Sequence, residues 1–252
     1  MKRRHLTIAL YLIGLLLFSA CSSNKQVRPE QFDAKEYLSR ASKLIEDEDF
    51  EEARRLLFEV KNRDVTRQYA PIAQLKLAES YVKEEDYDTA VEEYRRFLRL
   101  YPEHTQAPFA QYQIAMIYYK QIEGPDKGAG GARRALKEFQ KLLERYPRNP
   151  YREAAELRIK KCKNLIADYE YLVGLFYFKK GSYRAAIGRF EGLIRDFPDY
   201  KRIPEVLYRT AKSYEELGDK DRAREFAMKL LDRFPGDGWA KLAKEEILTA
   251  KK

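Results

Sequence analysis

Four tyrosines set the frame of this chain: Tyr81, Tyr118, Tyr177 and Tyr214. Three residues before each stands a small residue, Ala78, Ala115, Gly174 and Ala211. A proline follows Tyr81, Tyr177 and Tyr214 after 21 residues (Pro102, Pro198, Pro235) and Tyr118 after 29 (Pro147), so that copy carries eight inserted residues. An aromatic residue precedes every one of these prolines (Tyr101, Tyr146, Phe197, Phe234), and an alanine stands between tyrosine and proline in each copy (Ala90, Ala135, Ala186, Ala223). A period of this length takes precedence over local propensity. Its physical meaning is a pair of antiparallel helices. The small residues let two backbones approach, the tyrosine and later aromatics fill the space between pairs, and the proline ends the second helix. Gly181-Ser182 and Gly218-Asp219 break the helices within a pair, and Asp49-Phe50 and Asp86-Tyr87 do so less strongly.

Residues 77–102 and 173–198 resemble the tetratricopeptide pattern, and the agreement of several spacings in four copies makes the resemblance specific. A fifth, degenerate copy comes first, with Ala41, Phe50, Ala53 and Leu57 in register and Val65 where the closing proline would stand. A terminal repeat has one face without a neighbour, so divergence is expected there. The fold class read from these copies is all-α: an α-solenoid of five tetratricopeptide-like helix hairpins, closed by a capping helix over Trp239–Ala250. Gln121–Gly131 is expected to be the inserted loop of the third repeat; no strand precedes its glycines and no Lys-Ser/Thr follows, so it is no phosphate loop. From Tyr151 to Lys180 only Gly174 interrupts a helical pattern, which predicts one long helix joining repeats three and four. The expected organisation is therefore a signal segment (1–20), a lipidated cysteine and flexible tether (21–31), an N-terminal half of repeats one to three (32–150) and a C-terminal half of the long helix, repeats four and five and the cap (151–252).

The N-terminus carries its own address. Lys2, Arg3 and Arg4 precede an apolar run of 13 residues, Leu6 to Phe18, broken only by Thr7, and then small Ser19 and Ala20. That is the order of a secretory signal, and it is too short for a membrane span of roughly 20 residues. Leu17-Phe18-Ser19-Ala20-Cys21 resembles a bacterial lipobox, with Phe18 where an aliphatic residue is usual. The resemblance implies acylation of Cys21, by a diacylglycerol and a further acyl chain such as palmitate. Each buried methylene contributes about 0.8 kcal/mol, so several chains anchor stably. Ser22, in place of an aspartate, favours the outer membrane. Residues 22–31 are polar and give a tether reaching roughly 15–20 Å.

Charge and site chemistry narrow the function. The formal charge of +9 falls to +6 without the three basic residues of the signal, and Lys and Arg alternate with Asp and Glu throughout, a pattern too diffuse for nucleic acid. Two cysteines, Cys21 and Cys162, exclude a disulfide framework, and Cys162 reads as a small residue on a packed helix face. His5 lies in the signal and His104 in a turn, so neither a metal site nor a catalytic triad can be built. No catalytic residue, metal or cofactor is expected. Binding is expected on the first helices of the pairs, which line the inside of a curved stack. Helical periodicity places Leu75 and Lys83 of repeat two there, with Phe109, Tyr112, Tyr119 and Lys120 of repeat three and Tyr171 and Phe178 of repeat four. These could form a groove for a peptide with aromatic side chains, its carboxylates met by lysines, or could pack against the long helix and neighbouring repeats.

A lipobox, a short tether and five repeats, with an insertion in the third and a long helix after it, resemble the BamD family of outer-membrane protein assembly lipoproteins. Arg189-Phe190-Glu191-Gly192 with Arg195-Asp196-Phe197-Pro198 looks like the fourth-repeat signature of that family, and Arg96-Phe97 with Arg99-Leu100 before Pro102 is similar to it as well. The resemblance implies a non-enzymatic component of the β-barrel assembly machinery, lipid-anchored and facing the periplasm. Its C-terminal repeats would hold the periplasmic domains of the barrel protein BamA, and its N-terminal repeats the aromatic C-terminal segment of unfolded outer-membrane proteins. Other assembly lipoproteins are further implied partners. The arginine matching Arg189 is implied in the BamA contact, with Glu191 and Arg195 beside it; the plainer role for Arg189 is a surface arginine tied to Asp196 or Glu191. The departures are the end of repeat one, Asn62-Arg63-Asp64-Val65, and Glu48 where a turn glycine would stand. The alternative is another tetratricopeptide lipoprotein scaffold, of pilus assembly or of the Tol-Pal division system.

Overall fold

The computed structural model describes residues 32–249; the expected signal segment, Cys21 and the tether lie outside them. The described residues form an all-α solenoid of five tetratricopeptide-like hairpins with a C-terminal cap. The hairpins are α1 (Ala34–Glu46) with α2 (Phe50–Arg63), α3 (Ala70–Lys83) with α4 (Tyr87–Leu100), α5 (Ala107–Lys120) with α6 (Gly130–Arg145), α7 (Arg152–Lys179) with α8 (Tyr183–Asp196), and α9 (Ile203–Glu216) with α10 (Lys220–Arg233). The cap is α11 (Gly238–Ala243), which runs on as a π-turn over Lys244–Leu248.

The same local devices recur along the stack, with the aspartate caps in repeats one, two and five. Asp49, Asp86 and Asp219 cap the second helices by accepting backbone N–H bonds from Glu52, Thr89 and Arg222, which satisfies donors that a helix start leaves free. Just before these caps the chain turns through a left-handed residue: Glu48 (φ 62°), Glu85 (φ 64°) and Gly218 (φ 80°), with Gly181 (φ 72°) before Ser182 in repeat four. A side chain is disfavoured in that region by roughly 1–2 kcal/mol. Replacing Glu48 or Glu85 with glycine is therefore expected to stabilise the fold by about 0.5–1 kcal/mol each, read as a higher urea midpoint with an unchanged slope. The second helices of repeats two to five end on Tyr101, Tyr146, Phe197 and Phe234, all with φ between −126° and −138°. Each precedes a proline, whose ring excludes the helical conformation from the residue before it. Pro71, Pro108 and Pro204 then open α3, α5 and α9, where a missing N–H costs no helix bond.

Repeat one closes differently. Asp64 stands where the other repeats have the aromatic residue, and its buried carboxylate accepts bonds from the Thr66 hydroxyl and from the backbone N–H of Thr66, Tyr69 and Ala70. One side chain thus ends the turn and caps α3, which has no capping side chain at its own Tyr69. Val65 is 94% exposed.

Inside repeats two, three and four an aromatic residue of the second helix meets the small residue of the first; repeats one and five have Leu57 and Ala227 in that place. Phe190, fully buried, lies over Gly174, where an added Cβ would fall 2.7 Å from its Cδ1. Tyr94 and Phe139 fill the matching places, thirteen residues after Tyr81 and, with the insertion, twenty-one after Tyr118. Cys162 is fully buried against Ala155, Phe139 and Leu142, and burial pushes its thiol up to about 11.

Two expected boundaries shift. The third-repeat loop is shorter than 121–131, because α6 already begins at Gly130 and includes Gly131. Ile122, Ala129 and Ala132 pack together with Ile166 of α7, and this contact pulls the two glycines into the helix. The cap begins at Gly238 and changes to a π-turn, with Trp239 over Tyr208 at 5.1 Å.

Candidate partner-binding site

A polar clasp repeats along the stack. Seven residues before the marker tyrosine, on the first helix, and twelve after it, on the second, stand Gln74 and Glu93 in repeat two. The Gln74 amide donates to the Glu93 carboxylate at 2.6 Å. Repeat three has Gln111 and Glu138 there, at 2.9 Å, the insertion accounting for the longer sequence separation. In the end repeats both positions are apolar and buried: Tyr37 and Leu56, Leu207 and Phe226. Repeat four alone puts a carboxylate on the first helix and a cation on the second: Glu170 accepts from Arg189 at 3.0 Å. Its other oxygen accepts from Arg133 of α6, so one carboxylate joins repeats three and four.

Around this clasp a cleft of about 430 Å³ opens between α6, α7 and α8. Arg133, Arg184, Arg189 and Arg195 line it. Arg184 has no hydrogen bond, ion pair or ring contact among the described residues. Ala185, Gly188 and Gly192 give α8 little side-chain bulk toward the cleft, so a partner backbone can come close. Arg189 and Tyr177 also border a second hollow of about 490 Å³, walled by Leu172 and Phe176 of α7 and by Pro125 and Asp126 of the repeat-three loop. Leu172 and Phe176 are 41% and 52% exposed. Basic and apolar surface thus meet at Arg189.

The three residues expected to act together do not form one cluster. Arg189 and Arg195 both line the cleft, Arg195 held by Asp196 at 2.8 Å. Arg189 is tied to Glu170, rather than to Asp196 or Glu191. Glu191 faces repeat five, where it accepts from the Tyr214 hydroxyl at 2.8 Å and from Arg222 at 3.0 Å; residues two apart on a helix do not share a face. Arg133, Glu170 and Arg184 complete the cleft and went unnoticed in the sequence, although Glu170 stands seven residues before Tyr177, the place held by Gln74 and Gln111.

On the first-helix face, repeats three and four behave differently. Tyr112 stacks on Tyr151 at 4.5 Å and Phe109 lies 6.3 Å from the same ring. Tyr119 meets Phe139 edge-on. Arg158 of α7 lies over Tyr112 and Tyr119 at 5.8 and 5.7 Å, with its Nε buried and lacking a hydrogen-bond partner. Lys83 and Lys120 are exposed and without ion-pair partners among the described residues. Leu75, at 3% exposure, belongs to the core and lines no groove. Tyr171, at 6%, is likewise consumed: its hydroxyl donates to Glu205 at 2.7 Å and Arg202 covers its ring. Phe178 lies under Arg209, which also bonds Glu205. Burial would raise the Glu205 pKa, but Tyr171, Arg209 and Arg202 hold it below the ordinary range. Helical periodicity gives the direction of these side chains and leaves open what covers them, which for Tyr171 and Phe178 is repeat five.

Residues 29–250 match the YfiO family, described as an outer membrane lipoprotein. Proteins with the curated name outer membrane protein assembly factor BamD are among the similar sequences. That of Caulobacter vibrioides is 32% identical over 153 residues, 61% of this chain and half of that protein. That of Vibrio cholerae serotype O1 is 28% identical over 83% of this chain and 91% of its own length. That of Rickettsia prowazekii is 26% identical over 95% of both. A match over nearly all of the described residues, on a chain with these repeats and this cleft, is decisive: the chain belongs to the YfiO family of outer membrane lipoproteins, the family of the BamD assembly factors.

Proposed function

We propose that this chain is a non-enzymatic component of outer-membrane β-barrel assembly, held at the membrane by lipid on Cys21 and facing the periplasm. The C-terminal half, from residue 151, docks a BamA-type barrel protein at the Arg189 cleft. The N-terminal half offers the first-helix face of repeats two and three to the C-terminal segment of an unfolded outer-membrane protein. The observation that carries this reading is the cleft itself: four arginines line it, Arg184 among them without a partner among the described residues, and Arg189 also borders the neighbouring hollow walled by exposed Leu172 and Phe176. Such a surface suits an acidic partner with an apolar anchor, since desolvated Arg–carboxylate pairs fix register and apolar anchors supply affinity. The substrate side follows from the contrast between repeats. In repeat four Tyr171 bonds Glu205 and Phe178 lies under Arg209, which bonds the same carboxylate, whereas Tyr112 and Tyr119 of repeat three lie under Arg158 of α7, whose Nε has no hydrogen-bond partner. An aromatic chain terminus would stack on those rings and bring its carboxylate to the guanidinium.

The test is a pull-down from membranes with wild type and Arg189→Glu. A large barrel protein with periplasmic repeats is expected in the wild-type eluate and at least tenfold depleted in the variant. Arg189 is exposed but its partner Glu170 is only 13% exposed and keeps Arg133, so the melting curve of the variant is compared with that of wild type to separate lost docking from lost stability. Recovery of pilus or division proteins in place of the barrel protein overturns the assembly reading.

A further inference from the structure

One repeat before the Arg189 cleft lies a second groove, of about 530 Å³, between α4 and α6. It occupies the matching place in the stack. The Arg189 cleft lies between the second helices of repeats three and four around the Glu170–Arg189 clasp. This groove lies between the second helices of repeats two and three around the Gln111–Glu138 clasp. Arg95 and Arg99 of α4 face Lys141 and Arg145 of α6 across it. Glu138 is its one carboxylate, and it is already taken by Gln111, by Lys141 at 2.8 Å and by Arg95 at 3.5 Å. Four cations against one carboxylate leave a balance of 4 − 1 = +3. Arg99 has no hydrogen bond, ion pair or ring contact among the described residues, and Arg145 rests only on the Tyr146 ring.

We infer that this groove is a binding site for an acidic polypeptide segment, distinct from the Arg189 cleft. The argument for a polypeptide over a small anion is extent. Arg99 on α4 and Arg145 on α6 stand on opposite walls of the groove, each four residues, about 6 Å along its helix, from a cation already shared with Glu138, Arg95 and Lys141 respectively. Carboxylates spaced along a polypeptide can meet cations on both walls, and a single phosphate cannot reach them all. The inference goes beyond the assembly reading, because it requires no particular protein in the first cleft.

The experiment uses the folded chain from Ser22 and a fluorescein-labelled dodecapeptide of alternating Glu and Ser, read by fluorescence anisotropy at 50 and 200 mM salt. Binding is expected at low salt and at least tenfold weaker at 200 mM, as screening requires. Arg99→Glu with Arg145→Glu should weaken it at least tenfold at 50 mM, and Arg99→Gln with Arg145→Gln by less. The Gln-Ser counterpart peptide should not bind. Both arginines are exposed, and an unchanged melting curve confirms that the variants fold. Equal binding by wild type and the charge-reversed double variant overturns the inference. So does the finding that phosphatidylglycerol vesicles, but not the peptide, depend on Arg99 and Arg145, which would make the groove a lipid contact. Arg184→Glu separates the two hollows: peptide binding that depends on Arg184 alone belongs to the Arg189 cleft and also overturns the second site, whereas failure of the Arg189→Glu pull-down leaves the groove untouched.

Discussion

Gly174→Ala is expected to destabilise the protein by about 2 kcal/mol, and Gly174→Val by about 3 kcal/mol or more. Alanine in a helix interior ordinarily gains about 1 kcal/mol over glycine, so the sign is the test. The new Cβ would sit 2.7 Å from Cδ1 of Phe190, well inside the 3.5–4.0 Å at which carbon atoms attract. Phe190 cannot swing aside, because it is fully buried among Ala186, Leu193 and Tyr171 in the core of repeats four and five. The helices α7 and α8 must then separate, and the Arg189 cleft lies along that seam. Urea unfolding measures the loss. A double-mutant cycle with Phe190→Leu checks the cause: if the ring is what obstructs, the alanine should cost less in the leucine background, with a coupling of about 1 kcal/mol. Additive losses would assign the effect to something other than this contact.

Asp64→Ala is expected to cost about 2–3 kcal/mol, the sum of a lost helix cap and of N–H donors left unpaired at Tyr69 and Ala70. Asp64→Asn, which keeps an acceptor oxygen, should cost about half as much. The carboxylate also carries a pH signature. Burial alone would raise its pKa, but the bonds from Thr66, Ala70 and Tyr69 outweigh burial and hold it below the ordinary range. A lowered folded-state pKa stabilises above the unfolded value of about 3.9, and that stability disappears as pH falls through the folded value. The gap between wild type and Asp64→Asn should therefore be full at pH 6 and shrink below about pH 4. A gap that stays constant down to pH 2 would show that the charge is not what holds the turn.

Asp64 also marks where sequence reading stopped. The hairpins, the insertion and the long helix were legible because packing fixes the distances from small residue to tyrosine to proline. An aspartate in the aromatic place looked like a defect of repeat one, since the four donors converging on it come from residues that fold around it. Arg189 was legible as a basic residue on α8, but its partner lies 19 residues upstream on another helix, and only aligning Glu170 with Gln74 and Gln111 reveals the slot. Leu75 and Tyr171 had the right helical phase for a groove; a phase shows the direction of a side chain and leaves open what covers it. The glycines of the inserted loop suggested turn to their end, yet the packing of Ala129 and Ala132 against Ile166 outweighed the low helix propensity of Gly130 and Gly131.

The 28-residue helix α7 works as a ruler. Arg158 and Phe176 are 18 residues apart on it, which at 3.6 residues per turn is five whole turns and about 27 Å. They leave the rod on one side, the first against the aromatic residues of α5, the second beside the loop that follows α5. No loop enters that distance, so changes in loop length elsewhere leave the offset between the two surfaces as it is. One residue inserted between them would rotate the second surface by about 100° relative to the first, while four residues would restore its direction to within about 40° and lengthen the gauge by about 6 Å. Any two ligands placed at these surfaces are set to a common length and a common phase by a single backbone.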